Sequence, residues 1–356
     1  MTWRTREGSA ATFVALLIGL ALAASACSGG SSSNRNSPAP LVNGPICDVS
    51  AAPPPAALQT SPIPTPSLTI DQIVSGATPL SILDSETPNS PGPIDYGFDI
   101  TTQQGQLVTR GAPLVWIAKD KGSAALGPFQ AQWFDFTAYA KCHDRSPKSP
   151  LPGVYGVHLD VPSTGQWYVA VAVDAGGGQR AVALGDPAAN PPTGLQVSEG
   201  PVPAQLGIKA ISVKTPVATT VAGARQIDTR TPPDPLHSIS LDQALTNGKP
   251  TVVVFATPLL CETRLCGPAV DEVMLAAQVV GLSKANWIHV EEFLPGPKLK
   301  PPAPEPANQS PGFRAWGFQT EPWVVVIDSS GIIRARFEGS VTSGQIEAAV
   351  LPLLQG

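Results

Sequence analysis

From about Tyr96 to Val213 the chain alternates short apolar runs with Gly, Pro, Asp and Asn. The runs at 114–118, 130–136, 154–159, 167–173, 181–184 and 208–213 predict strands, because each is short, rich in β-branched or aromatic residues and bounded by turn formers. Their spacing predicts an all-β antiparallel sandwich over residues 91–213. Beyond Val213 the period changes. Residues 240–243 open a short helix, and Thr251-Val252-Val253-Val254-Phe255-Ala256 is nearly continuous in apolar residues, as a buried strand is. Val270, Val273, Met274, Ala277 and Val280 fall at helical spacing, with Asp271 and Glu272 near the start of that helix and Gly281 past its end. Residues 287–290 predict another strand, and 323–328 with 332–337 a hairpin about Ser329-Ser330-Gly331. Thr342-Ser343-Gly344-Gln345 is a capping box for a last helix that carries Ile346, Val350, Leu353 and Leu354 on one face.

Between these regions lie segments without periodicity. From Ser28 to Ile70 the only charged residues are Arg35 and Asp48, and Pro53-Pro54-Pro55 sits among alanines, so residues 27–90 read as a Pro/Ser/Ala-rich tether. Residues 214–235 read as a linker ending in Thr231-Pro232-Pro233-Asp234-Pro235. The chain's 40 Pro and 33 Gly, well above the ~12% these two types usually make up, concentrate in such arms. Its 42% of hydrophobic residues suffices for a core and excludes collagenous and wholly disordered chains. The 22 basic and 27 acidic residues give a net charge of −5 with no basic cluster, which excludes a nucleic-acid partner.

Arg4 and Arg6 precede a mostly apolar run at 11–22, too short to span a bilayer as a permanent helix, which needs ~20 residues. Ala24-Ser25-Ala26-Cys27, followed by Ser28-Gly29-Gly30-Ser31-Ser32-Ser33, resembles a bacterial lipoprotein signal. The resemblance implies a signal peptide over 1–26, acyl lipid such as palmitate on Cys27, and a place on the extracytoplasmic face of the cell membrane. There disulfides persist, and with Cys27 lipidated, Cys47, Cys142, Cys261 and Cys266 form an even set. Cys261 and Cys266 are close in sequence, which leaves Cys47 to pair with Cys142. Cys142-His143-Asp144 reads as a solvated turn, because adjacent donors are poor metal-ligand spacing.

Gly165-Gln166-Trp167-Tyr168-Val169-Ala170-Val171 resembles a late strand of an immunoglobulin-like domain. The order β-α-β-α-β-β-α over about 236–356, with two cysteines soon after the first long strand and Pro322 before the hairpin, resembles the thioredoxin fold. Phe255-Ala256-Thr257-Pro258-Leu259-Leu260-Cys261-Glu262-Thr263-Arg264-Leu265-Cys266-Gly267-Pro268 is similar to a phrase of exported thioredoxin-like proteins of high-GC bacteria. Asp228-Thr229-Arg230 and Thr320-Glu321-Pro322-Trp323 add to that match. The expected fold class is therefore multidomain: an all-β immunoglobulin-like sandwich followed by an α/β thioredoxin-like domain. The resemblance implies a cis peptide at Pro322 facing the redox cysteines and shaping a substrate groove.

Four residues separate Cys261 and Cys266 where the family has two. On a regular helix, Cα atoms five apart lie ~8.7 Å from each other, beyond what a disulfide spans. A bridge therefore requires Cys261 to lie in a loop folded back on a helix that begins near Gly267, with Pro268 in its first turn. Two alignments compete, one making Cys266 the first redox cysteine and one making it Cys261, and the nucleophile stays open. Arg264 and the helix start would stabilise a thiolate, and Glu262 would oppose it. The expected function is thiol–disulfide exchange with exported protein thiols or disulfides, or with an envelope redox partner, using Cys261, Cys266 and Pro322. The alternative is a non-enzymatic binding or scaffold lipoprotein with a structural bridge. No cofactor and no metal are expected, and His237 and His289 read as surface or packing residues.

Overall fold

The apolar runs build two sheets. The computed structural model describes residues 58, 61–84, 88–109, 111–135, 152–190, 192–200, 202–261, 264–295 and 302–355, all within one compact unit, Pro38–Gly356. Helix α1 (Ile70–Val74) precedes β1 (Thr78–Asp84), β2 (Gly92–Thr101), β3 (Leu114–Ala118), β4 (Leu126–Gln130) and β5 (Gln132–Asp135). Strands β6 (Gly153–Val161), β7 (Gly165–Gly176), β8 (Gln179–Gly185) and β9 (Leu195–Val197) complete the larger sheet. The order is β4-β3-β7-β8-β1-β2-β6-β5, with β9 also paired to β7.

The immunoglobulin-like sandwich is thereby corrected, since a sandwich needs two separate sheets. Here β1 joins the halves: Thr78–Leu80 pair in parallel with β8, and Ser81–Asp84 pair antiparallel with β2. The sheet then curls until its two end strands, β4 and β5, are separated in sequence by Ala131 alone, a nearly closed, barrel-like arrangement. Alternation along β7 explains its two faces. Trp167, Val169, Val171 and Val173 point into the interior with Phe98, Ile100, Tyr155 and Leu159. Ala170 and Ala172 point outward, where Trp116 and the α1 residues Ile70 and Ile73 cover them. Thr69 and Gln72 close a capping box on α1.

The second sheet follows α2 (Val221–Ala224) and α3 (Leu241–Ala244), and contains β10 (Thr251–Phe255), β11 (Asn286–Val290), β12 (Trp323–Ile327) and β13 (Ile333–Glu338). Helix α4 (Cys266–Val280) lies between β10 and β11, α5 (Pro311–Trp316) between β11 and β12, and α6 (Ser343–Val350) after β13. The strand order is β11-β10-β12-β13, with β10 parallel to β11 and antiparallel to β12. Every residue of β10, β11 and β12 is buried, because both faces are covered. Val252, Val254, Val324 and Val326 meet α4 and α6 on one side. Val253, Phe255 and Val325 meet Phe313, Trp316 and Phe318 on the other.

The thioredoxin-like part of the expected fold class is corrected as well. The described chain is mostly β with few helices, and no α/β thioredoxin-like domain is evident in it. Among the described residues α4 is the one helix longer than eight residues; α3 has four and α5 six. An α/β domain needs helices layered on its sheet faces; here α4 and α6 cover one face, while the helices on the other, α3 and α5, are short. Residues 208–213, expected as a strand, contribute one isolated bridge, Lys209 to Ile332. Strand β1 lies in the stretch that reads as tether. No described helix is long and apolar enough to cross a membrane.

Arg336 of β13 ties the two sheets together. Its guanidinium donates to Asn89 Oδ1 at 2.7 Å, to the Pro88 carbonyl and to the Pro203 carbonyl, and lies over the Trp323 ring. Hydrogen bonds from a charged donor contribute about 1.5–3 kcal/mol each when the partner would otherwise stay buried and unmet. Arg336→Ala should therefore lower unfolding stability by about 2–3 kcal/mol in urea titrations. A change below about 0.5 kcal/mol would show that the link carries no load. Close approach also fixes Gly97 on β2, where a Cβ would stand 2.2 Å from the Ser340 hydroxyl.

Candidate functional site

Strand β10 ends at Phe255, and the chain then turns through Thr257 and Pro258 instead of entering helix. The loop reverses at Arg264, whose φ of 63° lies in the left-handed region, and α4 begins at Cys266. This path brings Cys261 and Cys266 together as a disulfide with a Cα–Cα distance of 5.9 Å, inside the usual 4.4–6.8 Å range. The backbone N–H of Cys266, in the first turn of α4, donates to Cys261 Sγ at 3.1 Å. Both cysteines are buried, at 1% and 0% exposure.

Glu321 is the residue that sequence reasoning missed. It precedes Pro322 across a cis peptide bond at the entry to β12, and its carboxyl lies within 4.8 Å of both cysteine sulfurs. Burial, reinforced by the neighbouring Glu292 carboxylate, pushes it up to about 10, so it is protonated at neutral pH. Its only signal in the sequence is an acid set directly before an apolar strand. A cleft of about 570 Å³ reaches this place from the larger sheet, with Phe98, Asp99 and Leu107 on one side and Arg264, Leu265 and Glu321 on the other. Burial raises Asp99 to about 7 against the opposing pull of Arg264. Arg264 thus faces the cleft and Asp99, whereas the sequence set it between the cysteines as a cation that would stabilise a thiolate.

A second polar cluster lies behind the cysteine loop. His237 and His289, read from sequence as surface or packing residues, are 2% exposed and sit with Asp228 and Asp234 in one buried group. His289 Nδ1 is 2.7 Å from Asp234 Oδ2, and its Nε2 is 3.1 Å from the Ala256 carbonyl. Burial pulls His289 down, but Asp234 and Asp228 outweigh it and bring the imidazole to about 10. Arg230 donates to Asp271 Oδ1 at 2.6 and 3.2 Å, and each residue is almost fully enclosed. The Thr229 hydroxyl donates to Glu291 and receives the Leu259 N–H, which couples this cluster to the loop before Cys261. A lone His inside the apolar strand 287–290 was the available sign.

The structure brings Cys261, Cys266 and the Glu321–Pro322 bond together. Cys27, Cys47, Cys142 and Glu262 lie outside the described residues. Among the described residues two groups have the donors to hold a metal ion: Cys261, Cys266 and Glu321, and Asp228, Asp234, His237 and His289. In the first, the sulfurs are already bonded to each other. Comparison with protein-family models and with curated proteins gives no match for this chain.

Proposed function

We propose that this chain carries out thiol–disulfide exchange on exported proteins through Cys261 and Cys266. The observation that supports it best is the half-buried Glu321 carboxyl within 4.8 Å of a two-cysteine pair at the start of α4, in surroundings that push it up to about 10. A substrate thiolate attacks one sulfur of the bridge, the Cys261–Cys266 bond breaks, and the departing sulfur leaves with the electron pair. A second substrate thiolate then displaces the mixed disulfide. The substrate dithiol is oxidised by two electrons and the protein pair is reduced, with the two protons of the substrate thiols balancing those gained by the cysteines. Glu321 donates a hydrogen bond, then a proton, to the departing sulfur, and is reprotonated from solvent. The Cys266 N–H favours negative charge on Cys261, which makes Cys261 the better leaving group and, in the reverse direction, the better nucleophile. Glu321, joined to Pro322 by the cis bond, lines the cleft where the partner segment would lie.

The location follows from the sequence: lipid on Cys27 would hold the chain on the extracytoplasmic membrane face, with two acyl chains needed for stable attachment. The partners are exported protein thiols or disulfides, or an envelope redox protein. The burial of both sulfurs favours a second reading, a binding or scaffold module in which the bridge only pins the loop. The test is turnover of a disulfide-containing peptide in a glutathione buffer. Exchange supports catalysis, and a rate equal to the glutathione background supports the scaffold.

Glu321 also sets a pH dependence. Its folded value is raised from 4.5 to about 10, and that of Glu272, buried under the Ser343 N–H, from 4.5 to about 8. Both groups hold a proton in the folded chain that the unfolded chain has lost. Their contribution is full below pH 4.5 and falls as pH rises, ending near 8 for Glu272 and near 10 for Glu321. The thermal midpoint should therefore be lower at about pH 9 than at about pH 5, and Glu321→Gln should flatten that slope. An unchanged slope in the variant would contradict a proton on Glu321.

A further inference from the structure

We propose that Asp228, Asp234, His237 and His289 form a closed binding site for one zinc-class divalent cation. The segment Thr231-Pro232-Pro233 and the Asp234 N–H on Asp228 Oδ2 bring Asp228 and Asp234 side by side, and β11 supplies His289. His237 Nε2 is buried and makes no hydrogen bond. It is aimed between the carboxylates, 3.3 Å from Asp228 Oδ2 and 3.5 Å from Asp234 Oδ1. His289 Nδ1 lies 3.9 Å from Asp228 Oδ1. Ligands ~2.0–2.1 Å from a tetrahedral ion lie about 3.3 Å from one another; the two His237 separations are within a few tenths of an ångström of that, and the 3.9 Å one would close by about half an ångström. The fourth, 2.7 Å between His289 Nδ1 and Asp234 Oδ2, is a hydrogen-bond distance that must open by about half an ångström when the ion replaces the shared proton.

The surroundings are those a ligand set needs. His289 can donate Nε2–H to the Ala256 carbonyl at 3.1 Å, which leaves Nδ1 as the coordinating nitrogen. Asp228 is oriented by the N–H groups of Arg230 and Asp234, both at 2.7 Å, and Asp234 by the N–H of Leu236 at 2.8 Å. Each carboxylate oxygen keeps a second lone pair for a metal. Two imidazoles and two carboxylates in a buried, four-donor pocket suit Zn²⁺, because Ca²⁺ takes six to eight oxygen ligands and Mg²⁺ an octahedral set that keeps several waters. The two carboxylates neutralise the ion's charge, and the displaced proton leaves to solvent. The ion would fasten residues 228–237 to β11 and, through Ala256, to the end of β10 from which the cysteine loop departs. This site is independent of the exchange reaction.

Titration of the full chain with Co²⁺ after chelator treatment tests it. One equivalent should produce the intense visible bands of four-coordinate Co²⁺ without the near-ultraviolet thiolate-to-cobalt band, and Zn²⁺ should displace it. His237→Ala should weaken binding at least tenfold, while a Cys261→Ser, Cys266→Ser double variant should bind as the wild type does. No visible band in folded wild-type chain would overturn the proposal and leave the cluster a protonated hydrogen-bond network. A thiolate band lost in the double variant would overturn it too, placing the ion on the cysteines. If His237→Ala does not fold, the wild type and the cysteine double variant still decide.

Discussion

Cys261→Ser and Cys266→Ser should each reduce turnover of a disulfide substrate to the glutathione background. Either change leaves one thiol, and a single thiol can form a mixed disulfide but cannot resolve it within the chain. The two variants should differ in what they trap. If Cys261 is the attacking thiolate, as the Cys266 N–H on its sulfur favours, Cys266→Ser should accumulate partner-linked species and Cys261→Ser should not. The reverse pattern would assign the nucleophile to Cys266 and remove the role given to that amide. Loss of the bridge should also lower stability. The loop it closes is only five residues apart in sequence, so the entropic gain is at the low end of the usual range, about 2 kcal/mol. If both variants lose stability while wild type shows no exchange, the scaffold reading replaces the catalytic one.

Arg230→Ala should be the most damaging single change to the fold. The guanidinium is enclosed with Asp271 on α4, donates two hydrogen bonds to one carboxylate oxygen, and gives a third to the Pro232 carbonyl at 2.7 Å. Its removal takes these hydrogen bonds and the opposite charge from Asp271, which is 1% exposed. Breaking a buried ion pair from one side costs about 3–5 kcal/mol, a large share of the 5–15 kcal/mol that holds a domain folded. Asp271→Ala in the same background should recover part of the loss, because the uncompensated charge goes with it. Additive losses in the double variant, read from denaturant midpoints, would show that the two residues act separately. Either change should also disturb the cysteine loop, since Asp228-Thr229-Arg230 holds Leu259 through the Thr229 hydroxyl.

Local order was readable where one period dominated. Strand β3, the alternation of β7, the hairpin of β12 and β13 and the Thr342 capping box all follow from side-chain spacing. The closure of the larger sheet was not readable, because it depends on β1 dividing its pairing between β8 and β2, contacts made about a hundred and about twenty residues away along the chain. The break at Ala131 was hidden for a related reason. Residues 130–136 contain no Gly or Pro, yet Gln130 ends β4 and Gln132–Asp135 form β5, at the opposite edge of the curled sheet. The chain geometry of Cys261 and Cys266 was legible, since a bridge across that spacing forbids helix through the loop. Glu321 was not: nothing local marks an acid as buried, and its environment is assembled from β11, β12 and the cysteine loop. The same holds for His237 and His289, whose partners come from a segment that reads as linker. The resemblance over the last third of the chain described the local phrase around the cysteines better than it described the architecture.

Measurement of the fraction of the Cys261–Cys266 pair oxidised across a glutathione series tests the central claim most directly. An exchange-active pair should equilibrate with glutathione and give a potential above about −300 mV, in the range where protein oxidants and reductants operate. A potential below about −300 mV, with the bridge intact throughout the series, would make it structural and contradict the proposed function.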